Sequence, residues 1–325
     1  GTVRRSAFQI AKEFDAIGGQ TNAFTSMEHT CYHARVLDTH LETMVDILSD
    51  IFLNAIFDEG EVARERPVVF QEIGMVEDSP EEWVHTMMGP AFWGGHPLGR
   101  SILGSRENIQ AFDSQTIKGF FKRRYQPDRI VIAVAGNVAH DRFVERVGPV
   151  FSTIAASNGF APRRVPVTGG GIQLKHRDLE QSHICLGMNG LSVGDPRRFA
   201  ASLINTIFGG NMSSRLFQII REQRGLAYSI YSFLTAFADS GMFGVYTAVA
   251  PTDIDTSVDL IMDQIRRLKR EPVSDGVLAD AKAFTKGNLL MAVESPDNQM
   301  VRLAQNEYYF GRTIPIQSVI DNIDA

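Results

Sequence analysis

The chain has 325 residues, 44% of them hydrophobic and 22% charged, with a formal net charge of −6. That is ordinary globular composition with room for two cores. The acidic balance and the lack of a basic run argue against a nucleic-acid partner. No apolar stretch approaches the roughly 20 residues that span a bilayer, so no membrane partner is expected either.

Only two cysteines occur, Cys31 and Cys185, far apart and in no CxxC spacing. This argues against a disulfide framework or a cysteine zinc site and fits a reducing compartment such as the cytoplasm. The chain opens Gly1-Thr2-Val3-Arg4-Arg5 without an initiator Met, as a cut edge would.

Ser6 with Gln9 three residues later predicts a capping box, and Phe8, Ile10, Ala11, Phe14 and Ile17 follow at helical spacing until Gly18-Gly19 stops the helix. Residues 22–36 are rich in β-formers and predict a pair of short strands. Residues 39–56 predict an amphipathic helix, and a second helix follows over 59–76, with Pro67 inside it as a bend. Residues 89–104, rich in Gly and Pro, predict a loop. A helix is expected over 114–125 and a buried strand over 129–134. Residues 161–171, with two prolines and Gly169-Gly170-Gly171, have linker composition, and no Lys-Ser/Thr follows to make them a phosphate loop. A strand over 182–187 then opens a second domain.

The two halves resemble each other. Glu42-Thr43-Met44-Val45-Asp46 opens one helix and Asp255-Thr256-Ser257-Val258-Asp259 another, while Ser79-Pro80 and Ser295-Pro296 lie at similar distances beyond. The expected organisation is a first domain over 1–163, a linker over 164–172 and a second domain over 173–325. The expected class is α+β, with two similar domains, each a mostly antiparallel sheet with helices packed on one face.

Glu65 and Glu72 lie seven residues apart, close to two helical turns, so both project from one face of the second helix. Spacing leaves two readings open: solvated glutamates paired with Arg64 or Arg66, or carboxylates kept for a metal. Because Glu72 sits among Val68, Val69, Phe70 and Ile73, a buried carboxylate in need of a partner is expected. Arg221 and Tyr228 are also seven apart, but Gly225 interrupts the helix between them. His29 and His33 fall in the strand region, where four-residue spacing makes no metal clamp.

Four segments resemble the pitrilysin–insulinase–processing-peptidase family of inverted zincins. They are Gly18-Gly19-Gln20-Thr21-Asn22-Ala23-Phe24-Thr25 with Glu28-His29-Thr30; Glu65-Arg66-Pro67-Val68-Val69-Phe70-Gln71-Glu72-Ile73; His96-Pro97-Leu98-Gly99-Arg100 with Ile102-Leu103-Gly104; and Tyr125-Gln126-Pro127-Asp128 running into Ala135-Gly136-Asn137. Ser213-Ser214-Arg215-Leu216-Phe217, Arg221 and Tyr228 extend the likeness into the second half.

The resemblance implies a LuxS/MPP-like metallohydrolase fold and a zinc-dependent metalloendopeptidase that cleaves peptides or unfolded segments inside a dimeric chamber. It implies Glu72 as a zinc ligand and Glu65 as a supporting catalytic carboxylate. Arg221 and Tyr228 would hold the substrate backbone and the oxyanion, coming from a second subunit of a homodimer or heterodimer. Asn22, Ala23, Phe24 and Thr25 would form the edge strand that receives the peptide. The family's H-x-x-E-H motif is not in the sequence. In the family that motif is followed by a short apolar stretch and Gly-Thr, which places it just before Gly1. The chain alone is therefore expected to lack a complete zinc site and peptidase activity. The alternative is a non-catalytic subunit or scaffold of the same fold that pairs with an active partner.

Overall fold

The computed structural model describes every residue except 156–158 and 161, so the first residue of the linker-like stretch lies outside the described residues. Its elements are α1 (Ala7–Ala16), β1 (Gln20–Thr25), β2 (Thr30–Arg35), α2 (Leu41–Asn54), α3 (Glu59–Asp78), α4 (Pro80–Trp93), α5 (Arg106–Ala111), α6 (Ser114–Arg124), α7 (His140–Phe151), β3 (Ser182–Asn189), α8 (Arg198–Phe208), β4 (Ala227–Ala236), β5 (Gly241–Val249), α9 (Ile254–Arg270), α10 (Asp275–Ala292), α11 (Pro296–Phe310) and α12 (Ile316–Asp324). The class is α+β, with small antiparallel sheets and packed helices.

The halves repeat one order of elements. A β-hairpin leads through a short 3-10 turn into two long helices, and a Ser-Pro step starts a third: β1–β2–α2–α3–α4 and again β4–β5–α9–α10–α11. Two compact units form. The first holds Gly1–Gly74, Ile102–Arg163 and Ser295–Tyr308, and the second holds Met75–Ser101, Arg164–Glu294 and Tyr309–Ala325. The third helix of each repeat thus belongs to the unit built mainly from the other half.

In the first unit Ser6 caps α1 reciprocally: Gln9 N–H donates to Ser6 Oγ at 3.2 Å, and Ser6 N–H to Gln9 Oε1 at 2.8 Å. Gly18 takes a positive φ of 63° to leave the helix. A Cβ on Gly19 would lie 2.9 Å from the Phe14 ring and 3.1 Å from Val36, so glycine there lets Phe14 bury. The hairpin pairs Gln20 with Arg35 through Thr25 with Thr30. Val45 on α2 packs with Phe143 and Val147 on α7.

The first residues are fastened to α2 by a buried carboxylate. Asp50 accepts from Thr2 Oγ1 at 2.7 Å, Arg5 Nη1 at 2.9 Å and Asn54 Nδ2 at 2.8 Å. Arg5 also bonds Asp46 and Glu13. Burial alone would raise the Asp50 carboxyl, but these hydrogen bonds outweigh it and hold it below its ordinary value.

Two predicted elements differ from the structure. Residues 129–134, expected as a buried strand, join no sheet, and Val131 and Ile132 are about two-fifths exposed. A strand needs a neighbour, and the only sheet of this unit among the described residues is the β1–β2 hairpin. The expected loop over 89–104 begins late, because α4 runs on to Trp93 through Pro90. Its Gly89 lies so close to Gly99 that an added Cβ would meet the Gly99 carbonyl at 3.0 Å.

In the second unit the sheet order is β3–β5–β4, antiparallel throughout. One face carries Val245 and Val249 of β5 and Ile230 of β4 into a core with Phe208, Leu216, Ile220 and Ile261. Each such side chain contributes roughly 1.5–3 kcal/mol by leaving water. A second core joins α8, α10 and α12 through Leu203, Ile207, Ala281 and Ile323. No helix among the described residues is long and apolar enough to cross a membrane.

Asp50→Ala should lower the unfolding free energy by about 3 kcal/mol, the low end for a broken buried pair because Arg5 keeps Asp46 and Glu13. Urea unfolding near neutral pH checks this. Because the folded carboxyl titrates below its unfolded value, the wild-type advantage is complete above the ordinary carboxylate range and fades as the pH falls through it.

Candidate functional site

Helix α3 runs unbroken through Pro67, and Glu65 and Glu72 project from one of its faces. Both are exposed, so Glu72 is not the buried carboxylate expected from its apolar neighbours; Ile73 takes the buried side. Neither glutamate has a hydrogen bond or ion pair among the described residues. The arginines that could have neutralised them are engaged elsewhere. Arg64 pairs with Glu61, and Arg66 donates to the Ile109 and Phe112 carbonyls at 3.3 and 2.8 Å.

Strand β1 belongs to the same unit. Asn22, Ala23, Phe24 and Thr25 are all exposed. One edge of β1 bonds β2, and no strand pairs with its other edge among the described residues. Phe24 lies edge-on to His29 and His33, at 5.8 and 6.0 Å between ring centroids. His29 Nδ1 is 2.9 Å from Ser26 Oγ in the hairpin turn, which accounts for this histidine structurally.

In the second unit, Arg221 lies in a π-helical stretch, Phe217–Gln223, which Gly225 ends with a φ of 63°. The chain then turns into β4 and brings Tyr228 back to Arg221. The guanidinium carbon is 5.1 Å from the Tyr228 ring centroid and 4.6 Å from that of Phe217. The two residues are thus neighbours although no regular helix joins them. The arginine is oriented by two rings, its nearest carboxylate is Glu222 at 4.0 Å, and its N–H donors bond no acceptor among the described residues. Tyr228 is 80% exposed. Sequence reasoning missed Phe217, although its position four residues before Arg221 in one helical run was the available signal.

His96 is structural. Its Nδ1 accepts from Leu98 N–H at 3.2 Å, capping a tight turn, and its Nε2 is 3.0 Å from the Arg164 carbonyl.

A zinc ion held for catalysis takes three protein ligands. Glu72 offers one, and no three His, Cys, Asp or Glu side chains converge in a metal-binding group among the described residues. The residues present therefore do not by themselves fit a zinc ion.

Two family models match the sequence: the insulinase family, Peptidase M16, over residues 1–106, and the Peptidase M16 inactive domain over 111–284. An uncharacterized zinc protease of Bacillus subtilis, YmxG, is 38% identical over 325 residues, 100% of this chain and 79% of its own length. The chain belongs to the M16 peptidase family. Another M16 relative, an uncharacterized zinc protease of Streptomyces coelicolor, is 36% identical over 99% of this chain and 72% of its own length. The fold matches that of an M16 inactive-domain protein from Pseudomonas fluorescens, with a TM-score of 0.86 at 20% identity, covering 100% of this chain and 78% of that one. A protease from Helicobacter pylori gives 0.86 at 19%, covering 100% and 83%.

The internal repeat shows how the M16 halves differ. Glu59 and Asp275 start corresponding helices, and Ser79 and Ser295 follow them at the same offset, so Glu65 and Glu72 correspond to Ala281 and Asn288. Ala281 is buried against α8 and α12, whereas Glu65 stands in solvent. The second repeat carries neither carboxylate and covers the first of the two positions with core.

Exposed, unpaired carboxylates contribute little to folding. Glu65→Gln and Glu72→Gln should each leave the urea unfolding free energy within about 0.5 kcal/mol of wild type. A larger loss would mean that these side chains have structural partners.

Proposed function

We propose that the chain is the peptide-handling part of an M16 zinc endopeptidase acting on unfolded segments. The observation that carries this reading is Arg221, held between Phe217 and Tyr228 with its donors unspent. An arginine held by two rings, with Glu222 at 4.0 Å but no hydrogen bond made among the described residues, can take a peptide carbonyl with little rearrangement, so part of its ordering cost is already met in the fold. Tyr228 adds a phenolic donor. Asn22, Ala23, Phe24 and Thr25 would pair with an extended peptide through main-chain hydrogen bonds, which selects unfolded substrates over folded ones.

Glu72 is proposed as the metal ligand contributed by this chain, and Glu65 as the carboxylate that supports it. Both are unpaired in the fold and therefore free for such work. No hydrolytic step is derived through the metal, because the residues described here do not complete its site. The arginine–tyrosine pair is proposed to serve a second subunit, in a homodimer or a heterodimer with a related chain.

A non-catalytic M16 scaffold is the rival reading. Binding of a fluorescent unfolded peptide, followed by anisotropy, separates the two. The peptide-handling reading expects saturable binding that weakens about tenfold, some 1.4 kcal/mol, in Arg221→Ala. It expects no change in Arg267→Ala, whose arginine pairs with Glu271 on the surface. Absence of binding, or equal binding by all three proteins, would favour the scaffold.

A further inference from the structure

The face of the second unit's sheet opposite its main core carries a polar cluster that peptide handling does not use. Side chains alternate along strands, so the cross-strand neighbours Cys185, Tyr246 and Tyr231 share this face, with His183 two residues before Cys185. Helix α4 covers them. Gly187 lets it approach, since a Cβ there would lie 3.0 Å from Met88 Sδ of α4, and Gly244 leaves room for the ring of its strand neighbour Phe233. His85 of α4 then stacks on Tyr246 at 5.4 Å and meets Phe233 edge-on at 4.9 Å.

The hydrogen bonds in the cluster have one consistent direction. The Glu81 carboxylate only accepts, so Tyr231 gives it its hydroxyl proton at 2.7 Å. The Tyr231 oxygen must then accept from His85 Nε2, 3.0 Å away. That fixes the proton of neutral His85 on Nε2 and leaves Nδ1 bare, facing Cys185 Sγ at 3.9 Å. Burial pushes the Cys185 thiol up to about 12, so it stays protonated and can donate. The Tyr246 oxygen lies 2.9 Å from His183 Nδ1, and the Tyr246 ring stacks beneath His85. One chain, His85 to Tyr231, ends on the Glu81 carboxylate, and a second pair, His183 with Tyr246, lies against it.

We propose that this cluster is an acid-sensitive latch: two neutral histidines, His85 bonded through Tyr231 to Glu81 and His183 bonded to the Tyr246 that stacks on His85, hold α4 on the sheet, and their protonation releases it. A second proton on His85 must enter at Nδ1, where it ends the Cys185 thiol's donation and places a cation in the packed interface.

The groups facing the histidines are Glu81 from α4, Cys185 and His183 from β3, Tyr231 from β4 and Tyr246 from β5. The charged Arg177 donates to the Glu77 carbonyl one turn before Glu81. Glu81 favours the cations, but burial outweighs it and holds both imidazoles below their ordinary value. The sign follows. A neutral-preferring histidine stabilises the fold above its unfolded pKa of about 6.5, and that contribution is lost as the pH falls below it. The latch is independent of the peptide-handling reading.

Hydrogen exchange of the full chain tests it, with rates corrected for the intrinsic effect of pH. Between about pH 7.5 and about pH 5.5, protection of residues 80–93 should fall about tenfold or more while β5 stays protected. The response should vanish in His85→Gln/His183→Gln. Constant protection, loss of α4 and β5 together, or a response that survives in the double variant would each overturn the latch. Should that variant not fold, imidazole NMR of the wild type decides. The latch requires the Nε2–H tautomer at His85 and midpoints below about 6.5 for both rings, and the opposite tautomer or an ordinary midpoint refutes it.

Discussion

Strand β5 lies in the middle of its sheet and is buried along almost its whole length, and that constraint organises the second unit. A central strand needs cover on both faces. One face is covered conventionally, by an apolar core against α8, the π-helical stretch and α9. The other receives α4, a helix from the first half of the sequence, and its sheet positions carry histidine, tyrosine, cysteine and glycine. Polar groups in such a place persist only when paired, because an unpaired one costs about as much as a good core contact gains. The Glu81 network meets that requirement while leaving the interface dependent on two neutral imidazoles.

The repeat explains why chemistry is not shared evenly between the halves. Both contain a hairpin followed by three helices, and both place a long second helix after the first. In α10 the position equivalent to Glu65 is Ala281, which packs in a core with α8 and α12. In α3 the same position stayed acidic and exposed. A helix face cannot serve both purposes: packing selects small apolar residues, and ligand binding selects carboxylates left without arginine partners. The second half instead offers Arg221 and Tyr228, donors where α3 offers acceptors.

Much of this was legible from residue patterns. The Ser6 capping box, the hairpin over 22–36, the two long helices and the Ser-Pro steps are local signals, and local physics fixed them. The strand expected over 129–134 was read from its apolar run, but whether such a run pairs depends on a neighbour that its own residues cannot supply. The extent of α4 was hidden by Pro90 and by Gly89, which serves close packing against Gly99 and not a turn. Glu65 and Glu72 could be placed on one helix face by counting. Their freedom from Arg64 and Arg66 could not, because it depends on the carbonyls of Ile109 and Phe112 and on Glu61. The Glu81 network was invisible for a similar reason: its members come from positions 81, 85, 183, 185, 231 and 246, and only strand register makes them neighbours.

Satisfied and unsatisfied polar groups separate structure from function in this chain. Asp50 is buried and accepts from Thr2, Arg5 and Asn54, so its role is complete within the fold. Glu65, Glu72 and Arg221 are oriented by backbone or aromatic rings yet keep their hydrogen-bonding capacity unspent. In water that capacity costs nothing to maintain, and folding stability gains little from it. For Arg221, held against the Phe217 and Tyr228 rings, part of the entropy of binding a ligand is lost in folding instead of on encounter. Stability and the proposed function therefore rest on different residues, Asp50 for the first and Glu65, Glu72 and Arg221 for the second.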